Sequence, residues 1–383
     1  MSERTRIVHG IGALVAGGAE RAAVDLLIGL KQSGLNVELL TLLPRRDRVG
    51  QHWAQLLQQA GIPLHQGPTA CLSFRTILWL RSQLTRDDLA LFHIHLNYVE
   101  RAYCLARLAH RRRYGIIRKL HNSIVPQRGW QKWVFDFSDI RLSVANGQST
   151  YEIFKDRIKG EICMIHNGMN FHWPKQDAQT RQAARKKLQL NDQVKHVVCV
   201  GSMTGQTLET AQKAQDILIR AWNQTGLGDR GHRLHLLGAG NLQPKLQALA
   251  HSEPSVVFHG AVPHVESWLL SCDTFVLPSR WEGLPNAAIE AVGTGVSCIF
   301  SDIPPCRELE TPFVRYFPTD NPSELANILQ SILDAPPDVN DSEITRIRRR
   351  YGMVRPVKAY RQTYAQALAS IPETEKVREQ CSS

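Results

Sequence analysis

The stretch 274-TFVLPSRWEGLPNAAIEAV-292 contains a strand, a turn and a helix in nineteen residues. Thr274–Leu277 is apolar and rich in strand-forming side chains. Gly283 and Pro285 force a turn after it, Asn286 suits a helix N-cap, and Ala287–Val292 reads as a helical run. Working outward, the same alternation recurs. Strands are predicted at Arg6–His9, Val37–Leu42, Leu89–His95, Gly115–His121, Ile140–Ala145 and Ile162–His166, with helices at Gly18–Leu30, Gln51–Ala60 and Glu100–His110. A second series has strands at Val197–Val200, Leu234–Leu237, Val256–Phe258 and Ser297–Phe300, with helices at Ala211–Trp222 and Leu242–Ala250. Short strands alternating with helices imply an α/β class of doubly wound parallel sheets, covered by helices on both faces.

The polar segment 171–192, which includes Pro174, separates the two series and reads as an interdomain connection. The predicted domains are 1–172 and 173–345, with a C-terminal helix and frayed tail at 346–383. A chain of 383 residues suits two domains, and 43% hydrophobic against 21% charged residues excludes disorder over most of it. Two doubly wound domains leave a cleft at the carboxyl ends of their strands, where such folds bind ligands.

The net charge is +11. Residues 1–172 carry 23 Lys and Arg against 13 Asp and Glu, whereas 173–383 carry 23 against 22. The first half therefore holds almost all the excess, which suits an anionic membrane surface, a phosphorylated acceptor or nucleic acid, or a plain solubilising surface. Arg111–Arg113 and Arg118-Lys119, with Trp130, Trp133 and Phe135, are the candidate membrane-facing residues; single-stranded nucleic acid or a solvated basic face would suit them too. No run reaches the length of a transmembrane helix. The start reads poorly as a signal peptide because His9 and four glycines interrupt its apolar part. Eight scattered cysteines without a Cys-x-x-Cys pair read as reduced thiols, so the expected location is cytoplasmic, with peripheral membrane contact.

The loop after Thr274–Leu277 carries the chemistry. A helix N-terminus offers amides and a positive dipole end to a diphosphate. Glu282 in the loop and Glu290 one turn into the helix can meet sugar hydroxyls and a ribose diol. Gly17 and Gly18 let backbone approach a ligand ahead of a helix. His121 closes a strand at the sheet's carboxyl edge. His93 and His95 close the preceding strand, one expected in the core and one in the cleft, and no third ligand suggests a metal site.

These residues resemble those of retaining, nucleotide-sugar-dependent glycosyltransferases of the GT-B fold, family four. Glu282–Glu290 looks like that family's Glu-x7-Glu signature. Gly17–Arg21, His166–Met169, Val200-Gly201 with Lys213–Asp216, and Leu237–Gly240 resemble its other segments in order. The resemblance implies a C-terminal helix returning to the first domain, an acceptor-binding first domain and a donor-binding second domain. It implies transfer of a sugar from a nucleoside-diphosphate sugar to a hydroxyl of a lipid-linked or surface-polysaccharide acceptor, with retention and without a covalent nucleophile. His121, Glu282 and Lys213 would be catalytic. Gly17, Gly18, Gly201, Lys213, Gly238, Arg280, Gly283, Leu284, Pro285, Asn286 and Glu290 would bind donor. No metal, cofactor or nucleic-acid partner is expected. Ser202 stands where the family commonly has Arg, and Ala214 where it has Gly. A non-catalytic subunit binding nucleotide sugar or a partner enzyme is the alternative.

Overall fold

The computed structural model describes residues 5–44, 46–86, 88–107, 114–121 and 140–369. The chain divides into two compact units, one of Met1–Gly168 with Met353–Ser383, the other of Met169–Gly352. The boundaries therefore fall at 168/169 and 352/353 rather than at 172/173 and 345/346. The segment expected to be a connection is part of the second unit. Its Ala178–Leu188 is a helix, begun by a capping box between Asp177 and Thr180.

The first unit holds β1 (Arg6–Ile11), β2 (Asn36–Thr41), β3 (Leu64–Gln66), β4 (Leu89–His95), β5 (Gly115–Leu120), β6 (Leu142–Ala145) and β7 (Glu161–Met164). They form one sheet in the order β3-β2-β1-β4-β5-β6-β7, paired parallel throughout. Strand order reverses between β1 and β4. The helix Val354–Ala369 belongs to this unit and packs on β4, β5 and the helix Gly18–Gln32, as the resemblance implied. The C-terminal helix expected after 345 is two helices, Asp341–Tyr351 in the second unit and Val354–Ala369 in the first.

The second unit holds β8 (His196–Val200), β9 (Arg233–Leu237), β10 (Val256–Gly260), β11 (Thr274–Leu277), β12 (Ser297–Ser301) and β13 (Val314–Phe317). Their order is β10-β9-β8-β11-β12-β13, again all parallel, with the reversal between β8 and β11. Cores lie on both faces of this sheet. One gathers Phe275, Leu277, Ile289, Val292 and Phe300, the other Val197, Cys199, Leu218, Trp222 and Val276. In an open α/β sheet a reversal of strand order opens a crevice beyond the strand ends. Each unit thus has one such place.

One expectation changes here. β5 is buried along its whole length, so Arg118 and Lys119 are no basic surface. Arg118 pairs with Glu100 at 2.5 Å and Lys119 donates to the Tyr360 hydroxyl at 2.7 Å. Arg111–Arg113, Trp130, Trp133 and Phe135 lie outside the described residues. The seven described cysteines are free thiols, five of them buried.

Candidate functional site

In the second unit, the loops leaving β8 and β11 meet at the strand-order reversal. The backbone N–H of Arg280 donates to Gln212 O at 2.8 Å, stapling one loop to the other. Glu282 is 5% exposed, although it sits in a loop. Its Oε1 accepts from Lys213 Nζ at 2.5 Å and from Ser279 Oγ at 2.7 Å, and its Oε2 accepts from Gln212 Nε2 at 3.1 Å. An ammonium has three donors. Among the described residues the one side-chain hydrogen bond of Lys213 goes to Glu282, and the side chain stays 19% exposed. It is therefore a held cation with donors to spare.

Lys213 lies ahead of the helix rather than inside it, where the predicted Ala211–Trp222 would have it. The helix is Gln215–Thr225, preceded by Ala214 in a left-handed conformation at φ 46°. That kink turns the chain between Lys213 and the helix. Gly201 makes room for the lysine stem: a Cβ there would lie 3.0 Å from Lys213 Cγ. Gly238 has φ 138°, and a Cβ on it would meet Gly201 O at 1.9 Å, so two glycine backbones pass at close range. Gln215 Nε2 donates to the carbonyls of Gly201 and Ser202 at 3.2 Å, fixing the turn that contains Ser202.

Arg280 points elsewhere. Its Nε donates to Asp320 at 2.7 Å, and its terminal nitrogens donate to Asp216 at 3.2 Å and to the carbonyls of Leu208 and Ala211 at 2.9 and 2.8 Å. As placed, its guanidinium holds the 208–211 loop rather than a ligand. Leu284 is a core residue, 5% exposed among Trp268, Leu277 and Ile289. Gly283 and Pro285 are buried in the turn. Asn286 is not the N-cap. Pro285 takes that position, and Asn286 is the first residue of the helix Asn286–Thr294. Pro285 has no N–H, and the first helical bond runs from Ile289 N–H to Pro285 O. The preceding amides therefore lie outside the helical ladder. Glu290 is 8% exposed on this helix. Neither acid points into bulk solvent.

In the first unit, Gly17 takes the N-cap position of the helix Gly18–Gln32, in extended backbone. The sequence reading passed over Glu20 in its first turn, whose carboxyl is pushed up to about 7, chiefly by burial. The motif Gly17-Gly18-Ala19-Glu20 was the available signal. His93 and His95 share one face of β4, as residues two apart on a strand do, and both are buried because this central strand is covered on both sides. The third histidine judged absent is present: His9 on β1 brings a ring nitrogen within 4.8 Å of theirs. His121 follows β5 as expected, and burial lowers its imidazole to about 3.

Comparisons with known proteins fit this geometry. The pattern of "Glycosyltransferase Family 4" matches residues 16–173, and that of "Glycosyl transferases group 1" matches residues 194–335. Among curated relatives, the uncharacterized glycosyltransferase MJ1059 of Methanocaldococcus jannaschii is 34% identical over 96 residues, 24% of each chain. The lipopolysaccharide core biosynthesis mannosyltransferase LpsB of Rhizobium meliloti is 28% identical over 138 residues, 33% of this chain and 37% of that one. The matches thus span well under half of these relatives. Among solved structures, Anabaena HepE in complex with UDP and glucose superposes with a TM-score of 0.77 at 17% identity, covering 94% of this chain and all of that one. Sucrose-phosphate synthase from Thermosynechococcus elongatus gives 0.76 at 16%, covering 96% of this chain and all of that one. No helix among the described residues is long and apolar enough to cross a membrane. With one family pattern on each parallel-sheet unit and GT-B enzymes as structural neighbours, the chain belongs to the family-four, group 1 glycosyltransferases and has their GT-B fold.

Proposed function

We propose that the protein moves a sugar from a nucleoside-diphosphate sugar to a hydroxyl of a lipid-linked or surface-polysaccharide acceptor, with retention of configuration and without a metal. The observation that carries this is the Lys213–Glu282 pair, held at the β8/β11 reversal with lysine donors unspent. As the sugar leaves, negative charge builds on the diphosphate. A preorganised cation and helix-end amides stabilise that charge more than they stabilise the bound donor. In this reading Lys213 and the backbone near Asn286 face the diphosphate. Glu282, with Ser279 and Gln212, aims the ammonium. Glu290 takes the ribose diol, and His121 contacts the transferred sugar.

The relatives support the substrate class. LpsB is named for lipopolysaccharide core synthesis, and HepE was solved with UDP and glucose. An Escherichia coli galactosyltransferase named for a diphosphoundecaprenol acceptor is 57% identical over 35 residues, 9% of each chain. An acceptor of that kind suits peripheral contact with an anionic membrane by the first unit.

A thermal-shift panel of UDP, GDP, ADP and dTDP sugars tests donor binding, since a ligand at 100 times its Kd stabilises by about 2.7 kcal/mol. One base series should raise the melting temperature, and the same donor should support transfer. A flat response across all four would remove the donor assignment. Binding without transfer or hydrolysis to any acceptor tried would favour the non-catalytic subunit.

A further inference from the structure

Four imidazoles and a phenol form one hydrogen-bonded chain inside the first unit. His93 Nδ1 lies 2.9 Å from the Tyr364 hydroxyl, which lies 2.9 Å from His9 Nε2. His9 Nδ1 is 3.1 Å from His95 Nε2, and His95 Nδ1 is 3.2 Å from His121 Nε2. His9, His93, His95 and Tyr364 are at most 1% exposed, while His121 is partly exposed at the end of β5. The helix Val354–Ala369 supplies the tyrosine, and β1 and β4 supply the histidines behind His121.

A neutral imidazole has one donor and one acceptor, so the bonds along His9, His95 and His121 must all point the same way. A phenol has one donor and two lone pairs, and Tyr364 accepting from both His93 and His9 would leave its own buried O–H without an acceptor among the described residues. Two directions give that hydroxyl an acceptor. In the first, Tyr364 donates to His93, each proton faces back toward the tyrosine, and His93 Nε2 carries an N–H. In the second, His93 Nδ1–H donates to Tyr364, whose O–H donates to His9 Nε2. His9 Nδ1–H then donates to His95 Nε2, and His95 Nδ1–H donates to His121 Nε2. The end group decides between them. His93 Nε2 is sealed from solvent and has no hydrogen-bond partner among the described residues. A buried N–H without an acceptor is the rarer defect; an idle lone pair is tolerated more often. The second direction leaves the lone pair at His93. It also leaves the chain's last proton on Nδ1 of His121, an atom without a hydrogen bond among the described residues.

We infer that Tyr364, His9 and His95 are positioning residues for His121, holding its imidazole neutral with the proton on Nδ1. The carboxyl end of β5 thereby presents one fixed N–H donor to an oxygen of the bound sugar. The last step rests on the reading of His121 given above; the tautomer does not. Burial agrees with neutral rings, lowering His9 and His121 to about 3, and it keeps the Tyr364 proton in place by raising that hydroxyl well above its usual range.

The second unit supplies an internal reference. His196 Nε2 faces the Asn191 carbonyl at 2.9 Å, which fixes the proton on Nε2. Its Nδ1 then accepts from His235 Nε2 at 2.9 Å.

Long-range 1H–15N spectra of the full chain, labelled at histidine, read tautomers without any substrate. The answer is thus separate from whether the chain transfers sugar. His121 is assigned by its loss in His121→Gln. We expect a protonated Nδ1 and a bare Nε2 for His121, and the reverse for His196. In His95→Leu the bond to Nε2 is gone, and His121 should move toward averaged or Nε2-protonated shifts while His196 stays. The wild-type spectrum decides even if that variant does not fold. A proton on His121 Nε2, averaged shifts in the wild type, or no change in His95→Leu would overturn the inference. So would one tightly held equivalent of added zinc that moves the His9, His93 and His95 signals together, since those nitrogens would then be metal ligands.

Discussion

Lys213 and Arg280 are both cations beside buried carboxylates, yet they differ in what remains to be bonded. Arg280 has its nitrogens committed to Asp216, Asp320 and two carbonyls, whereas Lys213 has one side-chain partner among the described residues, Glu282. Lys213→Met is expected to cut turnover by about 10²–10³, the scale of losing one preorganised donor at a developing anion. Arg280→Met is expected to act on stability instead. It strands Asp216, whose side chain is 4% exposed, and breaking a buried pair costs about 3–5 kcal/mol. Urea unfolding should show that loss, while the donor KM of the folded fraction stays within about twofold. Equal losses of turnover in both variants would refute the distinction. The sequence exposed Glu282 and Glu290 because they follow a strand end, and Lys213 through the family resemblance. It hid the role of Arg280, because Asp216 and Asp320 lie 64 and 40 residues away and only the folded loop joins them. Gln212 and His9 were hidden for the same reason: nothing in a polar loop or a lone histidine marks a partner brought in from another strand.

At the scale of elements, the central strands and the edges β7 and β10 were legible, whereas the opposite edge of each sheet was not. Leu89–His95 and Thr274–Leu277 stand where their apolar runs place them. The missed strands, β3 and β13, are short and close one edge of each sheet, where half the hydrophobic signal is absent. The helix Ala178–Leu188 was hidden because only Ala184 and Arg185 are buried on it. Tight turns between elements are the other thing that side-chain patterns do not show, and glycines test them. Gly260 has φ 67° with open space around its Cβ position, so Gly260→Ala should cost roughly 1–2 kcal/mol of left-handed strain. Gly238 has φ 138°, and its Cβ would collide with the Gly201 carbonyl. Gly238→Ala should therefore lower the melting temperature well beyond Gly260→Ala. It should also abolish the donor-induced thermal shift, because Gly201 lies against the Lys213 stem. Matching melting temperatures for the two variants would show that the close passage is not what the position requires.

For the whole molecule, the basic excess of the first half and the buried groups of the first unit combine into one pH response. Part of that excess is internal, since Arg6, Arg118 and Lys119 are buried. The histidine chain adds groups that must stay neutral. In the unfolded chain an imidazole takes a proton near 6.5, whereas His9 and His121 resist to about 3. Between those values the unfolded state binds more protons, so stability falls as pH drops from 6.5 toward 3. Lys119 extends the same slope upward. Burial lowers its amine from 10.5 to about 7, with Cys163 opposing weakly and the Tyr360 hydroxyl accepting its hydrogen bond. Below pH 7 the native state carries that ammonium at a penalty of roughly 5 kcal/mol, at about 1.4 kcal/mol per unit. From 7 to 10.5 the native amine is increasingly neutral while the unfolded one keeps its proton, so stability rises and the penalty disappears. Lys119→Met should therefore melt above the wild type at pH 6, by less than the full penalty because Tyr360 loses a partner. The gap should close steadily and vanish near pH 10.5. Melting curves of both proteins across that range decide it: a gap independent of pH would mean that packing, and not a buried charge, separates them.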